Sequence, residues 1–157
     1  EHPVAVKVPS LAVISSGKEI QADFSKINKY EVTEKGKYVA IIALGDFYHL
    51  GEDVRKLLQE KIGVKATLIN PCFITGLDEK LLENLKENHK IVVTLENGIL
   101  DGGFGEKITR FYSTSSMKVL NFGAKKEFTD RLSPEEIFTK NHLTKELITE
   151  DIIEILK

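Results

Sequence analysis

Three short runs of almost continuous apolar residues, 38–44, 64–70 and 91–95, constrain the fold of this chain more than any other feature. A fourth and shorter run covers 118–122. Strands that are apolar throughout, rather than alternating, are typical of parallel sheets buried on both faces. Because parallel strands need a crossover connection, usually a helix, the runs predict an α/β fold.

Helical patterns fill the connections between these runs. Apolar residues recur at helical spacing in three segments, 50–62, 81–85 and 104–112. Further along, Ser133, followed by proline and then by Glu136, has the sequence of a helix-starting capping box. Strand and helix therefore alternate with short links.

The remaining segments complete the predicted fold. Thr149 is predicted to cap a final helix, and residues 29–33 are predicted to form an antiparallel edge strand. The fold class that we predict is a three-layer α/β/α sandwich with about five strands, mostly parallel.

Composition narrows the class of protein. The chain has 157 residues, enough for one domain with a real core, and its formal net charge of −2 gives no basic footprint for nucleic acid or a membrane surface. Its apolar runs are too short to span a bilayer. The single cysteine, Cys72, excludes an internal disulfide and favours a cytoplasmic location. Without a basic neighbour in sequence, Cys72 is predicted to be buried and unreactive.

The stretch "LENGILDGGFGEKI" (95–108) holds four of the eleven glycines, between a predicted strand and a predicted helix. Backbone N–H groups at such a turn can bind phosphate at the positive end of a helix dipole. However, the stretch matches neither the dinucleotide fingerprint nor a P-loop. We favour a packing role, in which glycines allow close backbone approach and Phe104 fills a hydrophobic site.

Glu96 follows a predicted strand, at the edge where open α/β sheets often bind ligands. A carboxylate there acts as a general base only if a partner raises its pKa, and no histidine is close in sequence. We therefore predict that Glu96 caps a neighbouring turn.

Other polar groups give weaker signals. His49, with Glu52 and Asp53, lacks convincing metal-ligand spacing and is predicted to be solvated. The remaining histidines are predicted to be surface or hydrogen-bonded residues: His2, His89 and His142. A basic cluster after the last strand either steers an anionic substrate or forms a solvated loop: Lys125, Lys126 and Arg131. These patterns predict no catalytic, cofactor-binding or metal-binding residue.

Four segments, in this order, resemble the C-terminal domain of the thiamine-diphosphate-dependent transketolase family. They are "EKGKYVAIIALG" (34–45), "GVKATLINPCFITGLDEKLL" (63–82), "HKIVVTLENGILDGGFGEKI" (89–108) and the segment 118–156 that begins "KVLNFG". Within that family the segments are most similar to 1-deoxy-D-xylulose-5-phosphate synthases. The third segment carries the Gly-Gly-Phe-Gly turn of that group.

The resemblance implies a domain layout. Residues 1–10 are expected to end a preceding pyrimidine-binding domain, 11–33 to form a linker and edge strand, and 34–157 to form the C-terminal domain. Lys7 stands where the family commonly has an arginine near the substrate phosphate, and Ser10 stands at a second such position.

The resemblance also implies an activity for the parent protein. Synthases of this group transfer a two-carbon unit from pyruvate to glyceraldehyde 3-phosphate, using thiamine diphosphate and magnesium. The cofactor motif and the catalytic glutamate are expected in upstream domains, so this chain, which begins without methionine, is expected to be an inactive fragment alone. Its implied partners are those domains and a second subunit of a homodimer, with no nucleic acid and no membrane.

Candidate contact residues and alternatives follow from this reading. The candidates for a domain, dimer or anion contact are Lys7, Glu96, Gly102, Gly103, Phe104 and Gly105. One alternative is a separate C-terminal subunit of a split transketolase. A second is a regulatory module that binds a small anion near Glu96 and Gly102. A third alternative is that the parent is a related 2-oxo acid dehydrogenase, but the glycine turn resembles that of the synthases more closely.

Overall fold

A computed structural model describes residues 3–5, 25 and 27–157 of the chain. Five strands form one sheet in the order β1-β3-β2-β4-β5. The strands are β1 (Glu31–Glu34), β2 (Tyr38–Ala43), β3 (Thr67–Asn70), β4 (His89–Ile99) and β5 (Lys118–Ala124). Only the β1–β3 pair is antiparallel among the described strands. The prediction of a mostly parallel sheet with one antiparallel edge strand is confirmed.

Helices cover both faces of the sheet. They are α1 (Tyr48–Ile62), α2 (Glu79–Leu85), α3 (Phe104–Tyr112), α4 (Pro134–Lys140) and α5 (Lys145–Leu156), and a short 3-10 turn leads into α1. Successive side chains of a strand point to opposite faces. On β4, Val93 therefore packs in the core beneath α1 and α5, whereas Val92 packs in the core beneath α2 and α3. The predicted three-layer sandwich is confirmed.

The ends of two strands differ from the predictions. β4 continues beyond 91–95 to Ile99, with a register irregularity between Leu95 and Ile99, so Glu96 lies within the strand rather than at its end. β1 begins at Glu31, later than predicted, because the residues before it are hydrogen-bonded to the loop that precedes α2.

The start of the last helix was predicted wrongly. Thr144, not Thr149, is the N-cap of α5, and its hydroxyl accepts a hydrogen bond from Leu147 N–H at 3.4 Å. The helix starts earlier because Ile148 already belongs to its buried face. Thr149 is fully buried inside α5. The capping box at Ser133, which begins α4, is present with both of its hydrogen bonds.

Cys72 was also predicted wrongly, because it is exposed. It lies in the loop after β3 rather than in the strand, with a left-handed φ of 56°. Partial burial of the sulfur and the nearby Glu31 carboxylate raise the pKa of the thiol. A raised pKa lowers the fraction of reactive thiolate.

Candidate functional site

The candidate site lies at the carboxyl ends of the parallel strands. The connection that leaves β2 runs through α1 to β3, which lies on one side of β2 in the sheet. The next connection runs from β3 through α2 to β4, which lies on the other side of β2. The ends of β2 and β4 therefore form the topological switch point, where ligands bind in many open α/β sheets. A groove of about 790 Å³ opens there. It is lined by Leu44, Gly45, Asp46, Asn70, Pro71, Cys72, Ile74, Glu96, Asn97, Gly98, Gly102, Gly103, Phe104 and Lys107.

Glu96 caps α3 from the neighbouring strand. Its Oε2 accepts a hydrogen bond from Phe104 N–H at 2.9 Å, and its Oε1 accepts one from Gly105 N–H at 3.0 Å. The residue is 6% exposed. Both donors belong to the first turn of α3, where backbone N–H groups have no intrahelical partner and the helix dipole favours a negative charge. The prediction that Glu96 caps a turn is confirmed.

The glycine turn allows this carboxylate to approach the helix. Gly102 has a left-handed φ of 74°, which glycine adopts without strain. A Cβ added to Gly103 would lie 2.5 Å from Glu96 Oε2. Phe104, the first residue of α3, is buried, and its ring centroid lies 6.2 Å from that of Tyr30. The glycines thus bring the chain close to Glu96 and seat the Phe104 ring in the core.

A second hydrogen-bonded series of polar side chains begins at Thr94, two residues before Glu96 on β4. Thr94 is fully buried and donates a hydrogen bond to Asn121 Oδ1 at 2.8 Å. The Asn121 amide donates in turn to Thr109 Oγ1 at 2.8 Å, which ties β4 and β5 to α3. A Cβ on Gly105 would lie 2.6 to 2.7 Å from atoms of Asn121 and Thr94, so this glycine is also needed for packing.

These contacts bear directly on the phosphate-loop interpretation. A phosphate at the N-terminus of α3 would need the N–H groups of Phe104 and Gly105, which already donate to Glu96. It would also lie against a buried carboxylate of like charge. The geometry of the turn supports packing over anion binding.

The rest of the groove wall is held by hydrogen bonds that join different elements of the fold. The Asn97 amide donates to Asp46 Oδ2 at 2.7 Å, which joins β4 to the 3-10 turn that follows β2. Lys107 of α3 donates to the Ile74 carbonyl at 2.9 Å. Within residues 3–5, 25 and 27–157, no group of three His, Cys, Asp or Glu side chains is placed to hold a metal ion. Lys7 lies outside the described residues.

The other polar candidates lie away from this groove. His49 is exposed and its Nδ1 lies 2.8 Å from Glu52, as expected for a solvated helix face. His89 is half-buried between Thr67 Oγ1 and the Leu85 carbonyl, and burial lowers its pKa despite the bond to that carbonyl. His142 is exposed and pairs with Asp151. Lys125, Lys126 and Arg131 are all exposed, and His2 lies outside the described residues.

Sequence reasoning missed a second set of contacts, beside the groove. Asn28 Oδ1 accepts hydrogen bonds from the Thr75 hydroxyl and from Gly76 N–H. Asp78 caps α2 and also accepts from Tyr30 N–H. A Cβ on Gly76 would lie 2.5 Å from Asn28 Nδ2. These contacts give Thr75 and Gly76 a structural role, which was not detectable from either segment alone.

The profile of the family described as "Transketolase, C-terminal domain" matches residues 28–148. The chain belongs to this family. The family fold accounts for the mixed sheet and its antiparallel edge strand.

Curated relatives of this transketolase C-terminal domain are 1-deoxy-D-xylulose-5-phosphate synthases. The synthase of Psychromonas ingrahamii is 32% identical over 97% of this chain and 24% of its own length. The synthase of Clostridium tetani is 28% identical over 99% of this chain and 25% of its own length. The chain thus spans about a quarter of the length of these relatives.

Solved structures show the same fold. A split-gene transketolase, described as an inactive beta4 tetramer, superposes with a TM-score of 0.73 at 23% identity, over 82% of this chain and 42% of that chain. A transketolase of Pichia stipitis superposes with a TM-score of 0.55 at 21% identity, over 83% of this chain and 18% of that chain. In the described part of this domain, no helix has the length and apolar character needed to cross a membrane.

Proposed function

We propose that this chain is the non-catalytic C-terminal domain of a thiamine-diphosphate-dependent transferase of the 1-deoxy-D-xylulose-5-phosphate synthase type. Curated synthases match it over nearly its whole length, and the match covers about a quarter of each synthase. The domain stabilises the parent protein, which acts as a cytoplasmic homodimer, and contributes to the contacts within that dimer.

The Glu96 cap is the observation that carries a packing role. At the switch point, where a ligand would bind, both oxygens of a buried carboxylate are bonded to backbone N–H groups of α3. The backbone N–H groups of Phe104 and Gly105 at that helix end therefore already have partners within the domain. Hydrogen bonds from Asn97 to Asp46 and from Lys107 to the Ile74 carbonyl hold the wall of the groove together. They also favour a rigid surface over a catalytic centre.

In this proposal the parent's chemistry takes place outside the described residues. Thiamine diphosphate and magnesium, held by upstream domains, supply the two-carbon transfer from pyruvate to glyceraldehyde 3-phosphate. Residues 1–10 end the preceding pyrimidine-binding domain, with Lys7 near the substrate phosphate. Residues 11–33 form the linker and edge strand, and residues 34–157 form the C-terminal domain. The turn at Gly102, Gly103 and Gly105 lies near a contact with another domain or subunit.

An exchange experiment tests this function. The C-terminal quarter of the Clostridium tetani synthase is replaced by this chain, and a truncated synthase without any C-terminal domain is prepared beside it. We expect the exchanged protein to form dimers and to make 1-deoxy-D-xylulose 5-phosphate, and the truncated protein to lose both properties. A truncated protein that keeps full activity and dimerisation would contradict the proposal.

The split-gene neighbour favours a second candidate, a separately encoded C-terminal subunit. In that case the chain docks on catalytic partners supplied by another gene. The reading frame that precedes the codon of Glu1 discriminates between the two candidates. A cofactor motif and a catalytic glutamate in the same frame support a single-chain synthase, whereas a start codon directly before Glu1 supports the split enzyme.

A further inference from the structure

The sequence contains a single Asn-Gly pair, Asn97-Gly98, and both residues are exposed. Asparagine is chemically labile, most of all before glycine, because a residue without a side chain lets its backbone nitrogen reach the asparagine Cγ unhindered. Apart from its chain neighbours, no atom of the described residues lies within 4 Å of a Cβ built on Gly98. The surroundings of the pair therefore leave room for this attack.

The sheet is irregular at the Asn-Gly pair. β4 pairs with β5 at Leu95 and Phe122, and next at Ile99 and Ala124. Between these two positions, three residues of β4 lie opposite one residue of β5, as in a bulge rather than a regular ladder. A bulged segment can change its backbone dihedrals while the pairs on either side stay closed. The reaction needs such a change, because the glycine nitrogen must turn toward the asparagine side chain.

The side chain that would react holds one wall of the groove at the switch point. Asn97 Nδ2 donates to Asp46 Oδ2 at 2.7 Å, and Asp46 belongs to the 3-10 turn that leads into α1. Asn97 also directly follows Glu96, whose carboxylate caps α3. A chemical change at Asn97 therefore acts on two contacts that shape the groove.

We propose that Asn97 is a deamidation site, whose conversion to a carboxylate loosens the groove wall at Asp46. In the first step the Gly98 nitrogen bonds to Asn97 Cγ and gives up its proton. The Cγ–Nδ2 bond breaks, and Nδ2 leaves as ammonia with that proton, which water relays. Water then opens the resulting cyclic imide at either carbonyl and gives aspartate or isoaspartate. No electron is transferred, so water is the only co-reactant.

Either product removes the hydrogen bond to Asp46. The new carboxylate stands opposite the Asp46 carboxylate, and the two like charges repel each other. Isoaspartate also adds a methylene group to the backbone of β4 directly after Glu96, which shifts the strand relative to the α3 cap. The modification is thus a slow and irreversible opening of the groove. It does not depend on the activity proposed for the parent protein.

Peptide mass spectrometry of the aged, folded chain tests the site. Trypsin cuts after Lys90 and Lys107, and in the peptide 91–107 that it releases, Asn97 is the only asparagine or glutamine. We expect this peptide to gain one mass unit during incubation at mildly alkaline pH, faster than the peptides that contain the other asparagines. A peptide 91–107 that keeps its mass, or that changes no faster than the others, would overturn the proposal.

Gly98→Ala is the matched variant for the reaction itself. The added methyl group hinders attack by the backbone nitrogen, yet it has room in the described structure, so the fold should be kept. Because the attack depends on close alignment of the two reacting atoms, we expect the mass gain to slow about tenfold or more. Equal rates in Gly98→Ala and in the unaltered chain would show that the glycine nitrogen is not the attacking group.

A side-chain swap tests the loosening of the groove wall. Asn97→Asp makes one of the two products directly, and we expect amide hydrogen exchange of Phe47, in the turn that holds Asp46, to quicken about fivefold. The double variant Asn97→Asp, Asp46→Asn again places an amide opposite a carboxylate, and should return exchange to its original rate. Unchanged exchange in Asn97→Asp, or no recovery in the double variant, would overturn the proposed effect on the groove.

Discussion

The Glu96 carboxylate lies where a side chain on Gly103 would stand, because a Cβ built on Gly103 falls 2.5 Å from Glu96 Oε2. The same carboxylate accepts hydrogen bonds from the first turn of α3. The lack of a side chain at Gly103 therefore leaves the space that the Glu96 carboxylate occupies when it caps α3.

Gly103→Ala is expected to lower the free energy of unfolding by about 1–3 kcal/mol, since the new methyl group must displace a buried, hydrogen-bonded carboxylate. Urea denaturation measures the change. Gly98→Ala is the matched control, because no atom lies within 4 Å of its added Cβ, and it should change stability by less than about 0.5 kcal/mol. Equal effects of the two substitutions would contradict this packing.

Glu96→Gln is expected to lower the free energy of unfolding by about 1–3 kcal/mol. The amide keeps one acceptor but turns an NH₂ group toward one of the two backbone N–H donors at the start of α3. Hydrogen exchange of the Gly105 amide should quicken in the variant. The exposed Glu87→Gln is the control, and an equal loss of stability there would show that the cap has no special role.

Thr149→Val is expected to leave stability unchanged or to raise it by up to about 1 kcal/mol. The Thr149 hydroxyl is buried and has no hydrogen-bond partner among the described residues, so its removal relieves a desolvation cost. Thr94→Val makes the same chemical change at a buried hydroxyl that donates to Asn121, and should cost about 1–2 kcal/mol. Thermal unfolding of both variants checks the contrast, which a larger loss at Thr149 would refute.

Gly76→Pro is expected to destabilise the domain, because proline removes the N–H that donates to Asn28 Oδ1 and crowds that side chain. With Asn28→Ala as the second change, a double-mutant cycle should give a combined loss smaller than the sum of the single losses. Additive losses would mean that the two residues act independently.

His89 should make stability fall as the pH drops from neutral toward 5. Burial lowers its pKa in the folded state, so the unfolded chain takes up the proton first, near its ordinary pKa of about 6.5, and protonation favours unfolding. His89→Gln removes the Thr67 contact at every pH but should flatten the dependence in this window. Urea denaturation at several pH values measures both slopes, and identical slopes would contradict the assignment to His89.

Most of the fold was predictable because its signals are local. The unbroken apolar runs of β2 and β4 indicated a doubly covered sheet, and the Ser133 capping box located the start of α4. The start of α5 was not predictable in the same way, because Thr144 and Thr149 are both plausible caps and only tertiary packing of Ile148 decides between them.

The candidate site was predictable only in part. The family turn and the capping role of Glu96 could be inferred from the order of residues along one strand–turn–helix unit. The partners of Asn28 and Asp46 could not, because they lie 48 and 51 residues away in sequence. The exposure of Cys72 was not predictable from the lack of a basic neighbour in sequence, because it depends on where the chain leaves the sheet, at Asn70.

The most direct test of the packing account of the glycine turn is a titration with inorganic phosphate and with glyceraldehyde 3-phosphate, followed through the amide NMR signals of Phe104 and Gly105. Because both N–H groups donate to Glu96, we expect no saturable shift of either signal at millimolar ligand. Saturable shifts of both signals, lost in a folded Gly103→Val variant, would show that the turn binds an anion and would contradict the account.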